Sequence, residues 1–146
     1  MKRHLFVLVL SLLSYVYAQG REISMASILS KAGEVVNLVE KENNCEIVRM
    51  EFDIIHSKKH TFRTLTDDYE YVIIAFGDNR IKDIDVKVYK WLDNQWSLIE
   101  QDNDSSAMAV VSVKPGSTSD YKIEITAYEF NEGYSGGHYG LVICHE

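Results

Sequence analysis

The sequence predicts a mainly β protein, namely an antiparallel β-sandwich of jelly-roll type with about eight strands and one N-terminal amphipathic helix. Beyond Cys45, apolar and polar residues alternate with a period of two. Turn-forming residues recur about every 8 to 12 positions, which is typical of antiparallel sandwiches. With 146 residues, 46% of them hydrophobic, the chain suffices for one core, and its single proline excludes proline-rich disorder.

The helix is predicted over residues 23–42, with Ser24 as its N-cap and Asn43–Asn44 as its end. Its apolar residues recur at spacings of three and four: Ile28, Leu29, Ala32, Val35, Val36 and Val39. A helix that binds a partner or lies on a membrane surface is the alternative. Because the polar face is not enriched in lysine or arginine, we expect the helix to pack on its own domain.

Eight short strands follow the helix in the predicted order. They cover residues 48–54, 61–66, 69–76, 84–89, 96–100, 107–113, 121–128 and 139–144. The first two flank Lys58 and Lys59 and are interpreted as a hairpin. Turn signals at Gly77, at Asp93–Asn94 and at Pro115–Gly116 separate later strands.

The N-terminus has the three parts of a secretory signal peptide, with Lys2 and Arg3 before an apolar run and small residues before a cut after Ala18. We therefore expect residues 1–18 to be the signal peptide, residues 19–44 to hold the helix and residues 45–146 to form the sandwich. Cleavage moves the net charge from −7 to about −9, because it removes only Lys2 and Arg3 among the charged residues. This charge argues against nucleic acid as a partner. The expected location is periplasmic or extracellular, without membrane insertion after cleavage; an uncleaved anchor helix is the alternative.

Cys45 and Cys144 are the two cysteines of the chain. In an exported protein, an even pair predicts a disulfide, which here would tie the start of the β region to the last strand. Two buried free thiols are the alternative.

Several segments resemble the bacterial pre-peptidase C-terminal domain, a β-sandwich related to the collagen-binding domains of collagenases. IDVKVY at 84–89, DNDS at 102–105, YKIEITAY at 121–128 and GGHYGLVI at 136–143 match that family's strands and turn, and residues 69–78 fit the strand before them. The resemblance implies a secreted, non-catalytic module. Some members bind calcium or an extracellular polymer.

Asp83, Asp85, Asp102 and Asp104 place carboxylates at strand ends that neighbouring hairpins can bring together. Calcium prefers six to eight oxygen ligands, so these four residues are the candidate calcium site, and calcium is the only cofactor the sequence suggests. The segment is not an EF-hand, since Val113 stands where the bidentate glutamate is required. Solvated turn carboxylates are the alternative.

Trp91 and Trp96 bracket a predicted turn and are expected to face each other across a hairpin. They are candidate ligand-binding residues, as a sugar-stacking platform with Tyr89 or Tyr134. The alternative is a pair that only covers its own sheet.

Two catalytic or metal patterns fail on context. Ser135 lies in a Gly-x-Ser-x-Gly pattern, but a β-strand follows it where a hydrolase needs a helix, so we expect no enzyme. His56 and His60 have helical ligand spacing in a segment that is not helical. The sequence therefore favours a secreted binding or accessory module acting on extracellular or periplasmic polymers or proteins. The alternative is an inhibitor or chaperone-like partner of an exported protease.

Overall fold

The computed structural model describes residues 24–146, so the predicted signal peptide at 1–18 lies outside the described residues. Within these residues the chain forms one α-helix, extended by a π-helical segment, and eight strands. They are α1 (Ala26–Val36), which continues as a π-helical segment (Asn37–Glu42), β1 (Glu46–Ile55), β2 (Lys58–Leu65), β3 (Tyr71–Gly77), β4 (Ile81–Leu92), β5 (Gln95–Asp102), β6 (Met108–Val113), β7 (Ser119–Phe130) and β8 (Gly137–His145). No helix within the described part is long and apolar enough to span a bilayer.

Two four-stranded antiparallel sheets face each other. Their strand orders are β1-β8-β3-β6 and β2-β7-β4-β5. Successive strands alternate between the sheets except at the β4–β5 hairpin, which is the connectivity of a jelly roll. The predicted fold class and all eight strands are confirmed.

The predicted hairpin between the first two strands is wrong. β1 pairs with β8 in one sheet, whereas β2 pairs with β7 in the other. The connection at His56–Ser57 therefore crosses from one sheet to the other, so that β1 and β2 become edge strands on the same open side of the sandwich. Alternation of apolar residues predicts that a strand exists but not which neighbour it pairs with.

The main core lies between the sheets and consists of the inward residues of both. Ile73, Ile84, Val86, Ile123 and Leu141 are fully buried there. At the β4–β5 hairpin, Asp93 and Asn94 both have positive φ, of 50° and 61°, which is the pattern of the type I′ turns that favour tight hairpins. The turn predicted there is confirmed.

The helix covers the outer face of the β1-β8-β3-β6 sheet. Ile28, Ala32, Val35 and Val39 are buried against it, and the rest of this second core comes from Cys45, Ile74, Phe76, Val142 and Cys144. The expectation that the helix packs on its own domain is confirmed. Its N-cap is Met25 rather than Ser24, but the Ser24 hydroxyl still accepts a hydrogen bond from the Ala26 N–H at 3.1 Å.

One glycine is required for this packing. Phe76 on β3 is the register partner of Gly140 on β8, and its ring lies over this glycine. A Cβ at Gly140 would lie 2.3 Å from the Phe76 ring. Any side chain at position 140 would therefore force this buried ring out of its place under the helix.

Candidate functional site

The outer face of the β2-β7-β4-β5 sheet carries a cluster of aromatic side chains. We call Phe62, Tyr89, Trp91 and Trp96 the aromatic face. Trp91 and Trp96 are direct cross-strand partners, and their ring centroids lie 5.0 Å apart at 65°. The predicted pairing of the two tryptophans is confirmed.

Phe62 joins this cluster from the far side of the sheet. β2 and β5 are the two edge strands, yet the Phe62 and Trp96 rings approach to 5.5 Å between centroids. Both side chains extend along the outer face of the sheet toward its centre, over the two central strands. Phe62 is 51% exposed and Trp91 is 43% exposed, so the face is open to solvent.

Lys122 occupies the centre of the aromatic face. On one side it is the register partner of Phe62, and on the other side it is the partner of Tyr89. Its Nζ lies 4.1 Å from the Tyr89 centroid and 5.8 Å from that of Trp96. The ammonium group therefore makes cation–π contacts that hold it among the rings.

A shallow depression of about 320 Å³ adjoins Phe62 and Trp96. Its other lining residues are Arg63, Thr64 and Asp120, and the Thr64 hydroxyl donates a hydrogen bond to Asp120 Oδ1 at 2.7 Å. Polar groups thus stand directly beside the rings. A ligand with one apolar face and a hydroxylated edge meets both kinds of contact here.

The four candidate calcium aspartates do come together at one end of the sandwich. Asp102 accepts hydrogen bonds from the backbone N–H groups of Asp104, at 3.0 Å, and Val110, at 2.8 Å, while Asp83 accepts one from Ser106 at 3.4 Å. Two of the four carboxylates therefore hold the loop backbone. Within residues 24–146, no group of three or more acidic, histidine or cysteine side chains is arranged to hold a metal ion. Calcium binding stays a prediction.

Asp85 is the buried member of this acidic group, with 4% of its surface exposed. Burial, followed by the negative charges of Asp83 and Asp102, raises the pKa of Asp85. Ionisation of this carboxyl is therefore less favourable in the folded protein than in the unfolded chain.

Cys45 and Cys144 are both buried beneath the helix as thiols. Burial, followed by the hydrogen bond with Cys45, raises the pKa of Cys144 to about 12. The Cys144 thiol also lies 3.7 Å from the carbonyl oxygen of Val72. The structure places the two sulfur groups side by side, and their disulfide stays a prediction.

The loop that contains Ser135 is held in place by a hydrogen bond from His56. His56 Nδ1 lies 3.0 Å from the backbone carbonyl oxygen of Ser135, to which it donates a hydrogen bond. His60 instead packs edge-on against Phe62, with centroids 5.4 Å apart. The two histidines are thus engaged in different places.

Sequence reasoning missed a buried polar cluster of Asp78, Arg80 and His138. Asp78 Oδ2 accepts hydrogen bonds from the Arg80 Nε at 2.9 Å, from Arg80 Nη2 and from the His138 backbone N–H at 3.0 Å. Arg80 Nη2 also lies 2.5 Å from His138 Nδ1. Because a guanidinium only donates, His138 Nδ1 is the acceptor in this contact.

No family model matches the sequence. No curated protein sequence matches it at a significant level. Among solved structures, the fold is similar to that of PliG from Aeromonas hydrophila, a periplasmic inhibitor of g-type lysozyme, with a TM-score of 0.49, 8% identity, and coverage of 71% of this chain and 90% of that one.

It is also similar to the pre-peptidase C-terminal domain of a Bacillus anthracis collagenase, with a TM-score of 0.47, 15% identity, and coverage of 65% and 87% of the two chains. A third similar structure is the xylan-binding module CBM86 of Roseburia intestinalis, with a TM-score of 0.40, 10% identity, and coverage of 71% and 91%. These likenesses concern the fold. Membership of the pre-peptidase C-terminal family stays a prediction from the sequence.

Proposed function

We propose that this protein is an exported, non-catalytic module that binds an extracellular polysaccharide through the aromatic face. The observation that carries the proposal is the cluster of Phe62, Tyr89, Trp91 and Trp96 on a sheet surface open to solvent. Export rests on the predicted signal peptide at 1–18.

The two outer faces of the sandwich differ in a way that supports this proposal. The helix covers the central part of one outer face, whereas no helix covers the other within the described residues, and Phe62 and Trp91 are about half exposed there. Exposed aromatic residues that are clustered mark interaction surfaces more often than isolated ones do. Tryptophan and tyrosine also dominate binding energy where they contact a partner.

The chemistry of the aromatic face fits a sugar ring. One face of a pyranose is made of C–H bonds, which pack against the negative face of an aromatic ring. The rim hydroxyls then need hydrogen-bond partners, and Lys122, Thr64 and Asp120 lie beside the rings.

Affinity gel electrophoresis tests the proposal, with a panel of soluble plant, bacterial and animal polysaccharides in the gel. We expect at least one polysaccharide to retard the protein. Trp96→Ala and Phe62→Ala should each lose most of this retardation, about tenfold in affinity, because each removes a stacked ring.

Tyr128→Ala is the matched control. Tyr128 is 60% exposed on the same face of β7, and lies six residues from Lys122, roughly 20 Å along the strand. Its removal should leave retardation intact. Failure of every polysaccharide, together with a stable complex with an exported protease, would overturn the proposal in favour of the inhibitor.

A further inference from the structure

A row of charged side chains closes the open side of the sandwich, between edge strands β1 and β2. Lys59 Nζ lies 2.7 Å from Asp53 Oδ2 across this gap. Further along, Glu51 Oε1 is shared by Arg49 Nε, at 2.8 Å, and by the Arg63 guanidinium. Inward-pointing charges of this kind protect edge strands from pairing with other chains.

The row ends at a pocket of about 340 Å³. Its apolar lining residues include Leu65 and Ile143, while Arg49 and Arg63 are its cationic lining residues, and His145 also lines it. Tyr69 stacks on His145 with centroids 4.0 Å apart and forms part of the wall.

The pocket has more cationic groups than the nearby carboxylate can neutralise. None of its ten described lining residues is acidic, and Glu51 alone pairs with both guanidinium groups. Burial, followed by the charge of Arg49, lowers the pKa of Arg63. An anion beside both arginines would relieve this repulsion.

Two polar atoms in the pocket wall point to the same conclusion. Arg63 Nε and His145 Nδ1 are buried and have no hydrogen-bond partner within residues 24–146. Buried polar atoms are nearly always paired in native proteins, so two exceptions around one pocket are notable. A ligand that brings acceptor oxygens into the pocket would satisfy Arg63 Nε once the side chains that cover this atom shift, because a guanidinium Nε always carries a proton.

We propose that this pocket binds the carboxylate of an acidic sugar unit, such as a uronic acid, in the polysaccharide held by the aromatic face. The proposal rests on the proposed function. Arg63 and Thr64 line both this pocket and the depression beside Phe62 and Trp96, so one glycan chain that crosses β2 reaches both.

Charge selects a monoanion over a phosphate. Two guanidiniums against one carboxylate leave an excess of about one positive charge, which a carboxylate neutralises and a dianion exceeds. The guanidinium fork also matches the two oxygens of a carboxylate. The protein as a whole is acidic, with a net charge of −7, which disfavours polymers of dense negative charge.

A matched pair of ligands tests the proposal by isothermal titration calorimetry. One is a neutral hexasaccharide of a polysaccharide that the protein retains, and the other is the same hexasaccharide with one unit oxidised at C6 to a uronic acid. We expect the acidic form to bind about tenfold more tightly, because it adds charge-assisted hydrogen bonds. The preference should shrink as salt rises.

Arg49→Gln should remove the preference and leave binding of the neutral hexasaccharide unchanged, because Arg49 lines only this pocket and not the depression beside Phe62 and Trp96. Arg63→Gln should remove the preference as well. Arg49→Gln should destabilise the fold less than Arg63→Gln, because the Arg49 side chain is 53% exposed. Lys58→Gln is the control, since it removes a positive charge from the other end of β2 and should keep the preference.

The outcomes separate the two proposals. Equal binding of both hexasaccharides by the wild type, or a preference that survives both arginine substitutions, overturns the carboxylate pocket and leaves the aromatic face standing. If no hexasaccharide binds but free glucuronate binds in an Arg63-dependent way, the pocket stands and the aromatic face fails. A peptide with a free C-terminal carboxylate that binds more tightly than the acidic sugar, and loses this binding in Arg63→Gln, overturns the assignment to a glycan.

Discussion

Asp78 and Arg80 form a buried ion pair two residues apart, at the turn between β3 and β4. Asp78 is 3% exposed and Arg80 is 8% exposed. The carboxylate also accepts hydrogen bonds from the backbone N–H groups of Arg80, at 3.0 Å, and of His138, the second residue of β8. The pair therefore joins the β3–β4 turn to β8.

Asp78→Ala should lower the free energy of unfolding by about 3 kcal/mol at pH 7, because it leaves the buried Arg80 guanidinium without its carboxylate. Burial of Asp78 opposes its ionisation, but the hydrogen bonds from Arg80 and His138 outweigh burial and hold the pKa of Asp78 below its usual value. The ionised form therefore stabilises the fold above the unfolded pKa, about 3.9, and this contribution disappears as the pH falls through the folded pKa. Urea unfolding at pH 7 and at pH 2.5 measures the difference.

The control for this prediction is Asp53→Ala. Asp53 also has a lowered pKa, through the hydrogen bonds from Lys59 and Ile54, but its side chain is 55% exposed. Its loss should cost less than about 1 kcal/mol. Equal costs for the two variants would contradict the role given to burial at Asp78.

The sequence predicted those features that depend on neighbours along the chain. The Trp91–Trp96 pair follows from a tight hairpin, and the acidic group follows from strand ends separated by one hairpin. Phe62 was missed as a member of the aromatic face because its place beside Trp96 depends on the order of four strands. The contact of Arg80 with His138, 58 residues later, depends likewise on long-range pairing.

The wrongly predicted hairpin at His56 also concerns strand pairing, which local sequence patterns do not specify. Alternation over residues 48–54 and 61–66 identifies two strands correctly, but a two-residue connection serves a hairpin and a crossover between sheets equally well. The residues on the inner face of each strand distinguish the two connections. Here the apolar residues of these inner faces are interrupted by two charged residues, Glu51 and Arg63, at the open side of the sandwich. Inward charges are typical of edge strands, and this signal was present in the sequence.

Cys45 and Cys144 are expected to form a disulfide when the protein folds in an oxidising compartment, because their thiols already lie side by side. Thiol counting after denaturation without reductant should give none for the wild type and one for Cys45→Ser. On the chain-entropy model, closing a loop of about 100 residues adds up to roughly 4 to 5 kcal/mol. Two reactive thiols in the exported wild type would refute the disulfide.

In the reduced protein, the same thiols should resist alkylation in the native state. With a pKa of about 12, Cys144 carries almost no thiolate at neutral pH. Iodoacetamide at pH 7.5 should therefore modify neither cysteine within the time that modifies both in urea, as followed by mass spectrometry. Rapid native labelling of Cys144 would contradict the buried position beneath the helix.

Ser135 is expected not to act as a nucleophile. The His56 ring bonds to the backbone carbonyl of Ser135, so it holds the loop instead of activating the hydroxyl. A fluorophosphonate probe should leave the protein unlabelled, and Ser135→Ala should keep both the melting temperature and polysaccharide retardation. Stoichiometric labelling at Ser135 would show that the protein is a hydrolase after all.

Asp85→Asn should stabilise the protein at pH 7 in the presence of a chelator, by about 1 kcal/mol, a typical gain for removing one unfavourable feature. Since burial and the neighbouring aspartates raise the folded pKa of Asp85, the folded state loses stability as the pH rises from the unfolded pKa through the folded one. The advantage of asparagine should therefore vanish at pH 3. Thermal melts at both pH values measure it, with the exposed Asp104→Asn as the control.

Calcium reverses the expected sign of this substitution if the four aspartates bind it. A cation near Asp85 would offset the repulsion, and at ten times a dissociation constant of about 0.1 to 1 mM it would add about 1.4 kcal/mol to the wild type by mass action. The wild type should then melt higher in 10 mM calcium than in chelator, while Asp85→Asn should not respond. An identical melting temperature with and without calcium in the wild type would assign the group to loop capping alone, through the hydrogen bonds that Asp83 and Asp102 already accept.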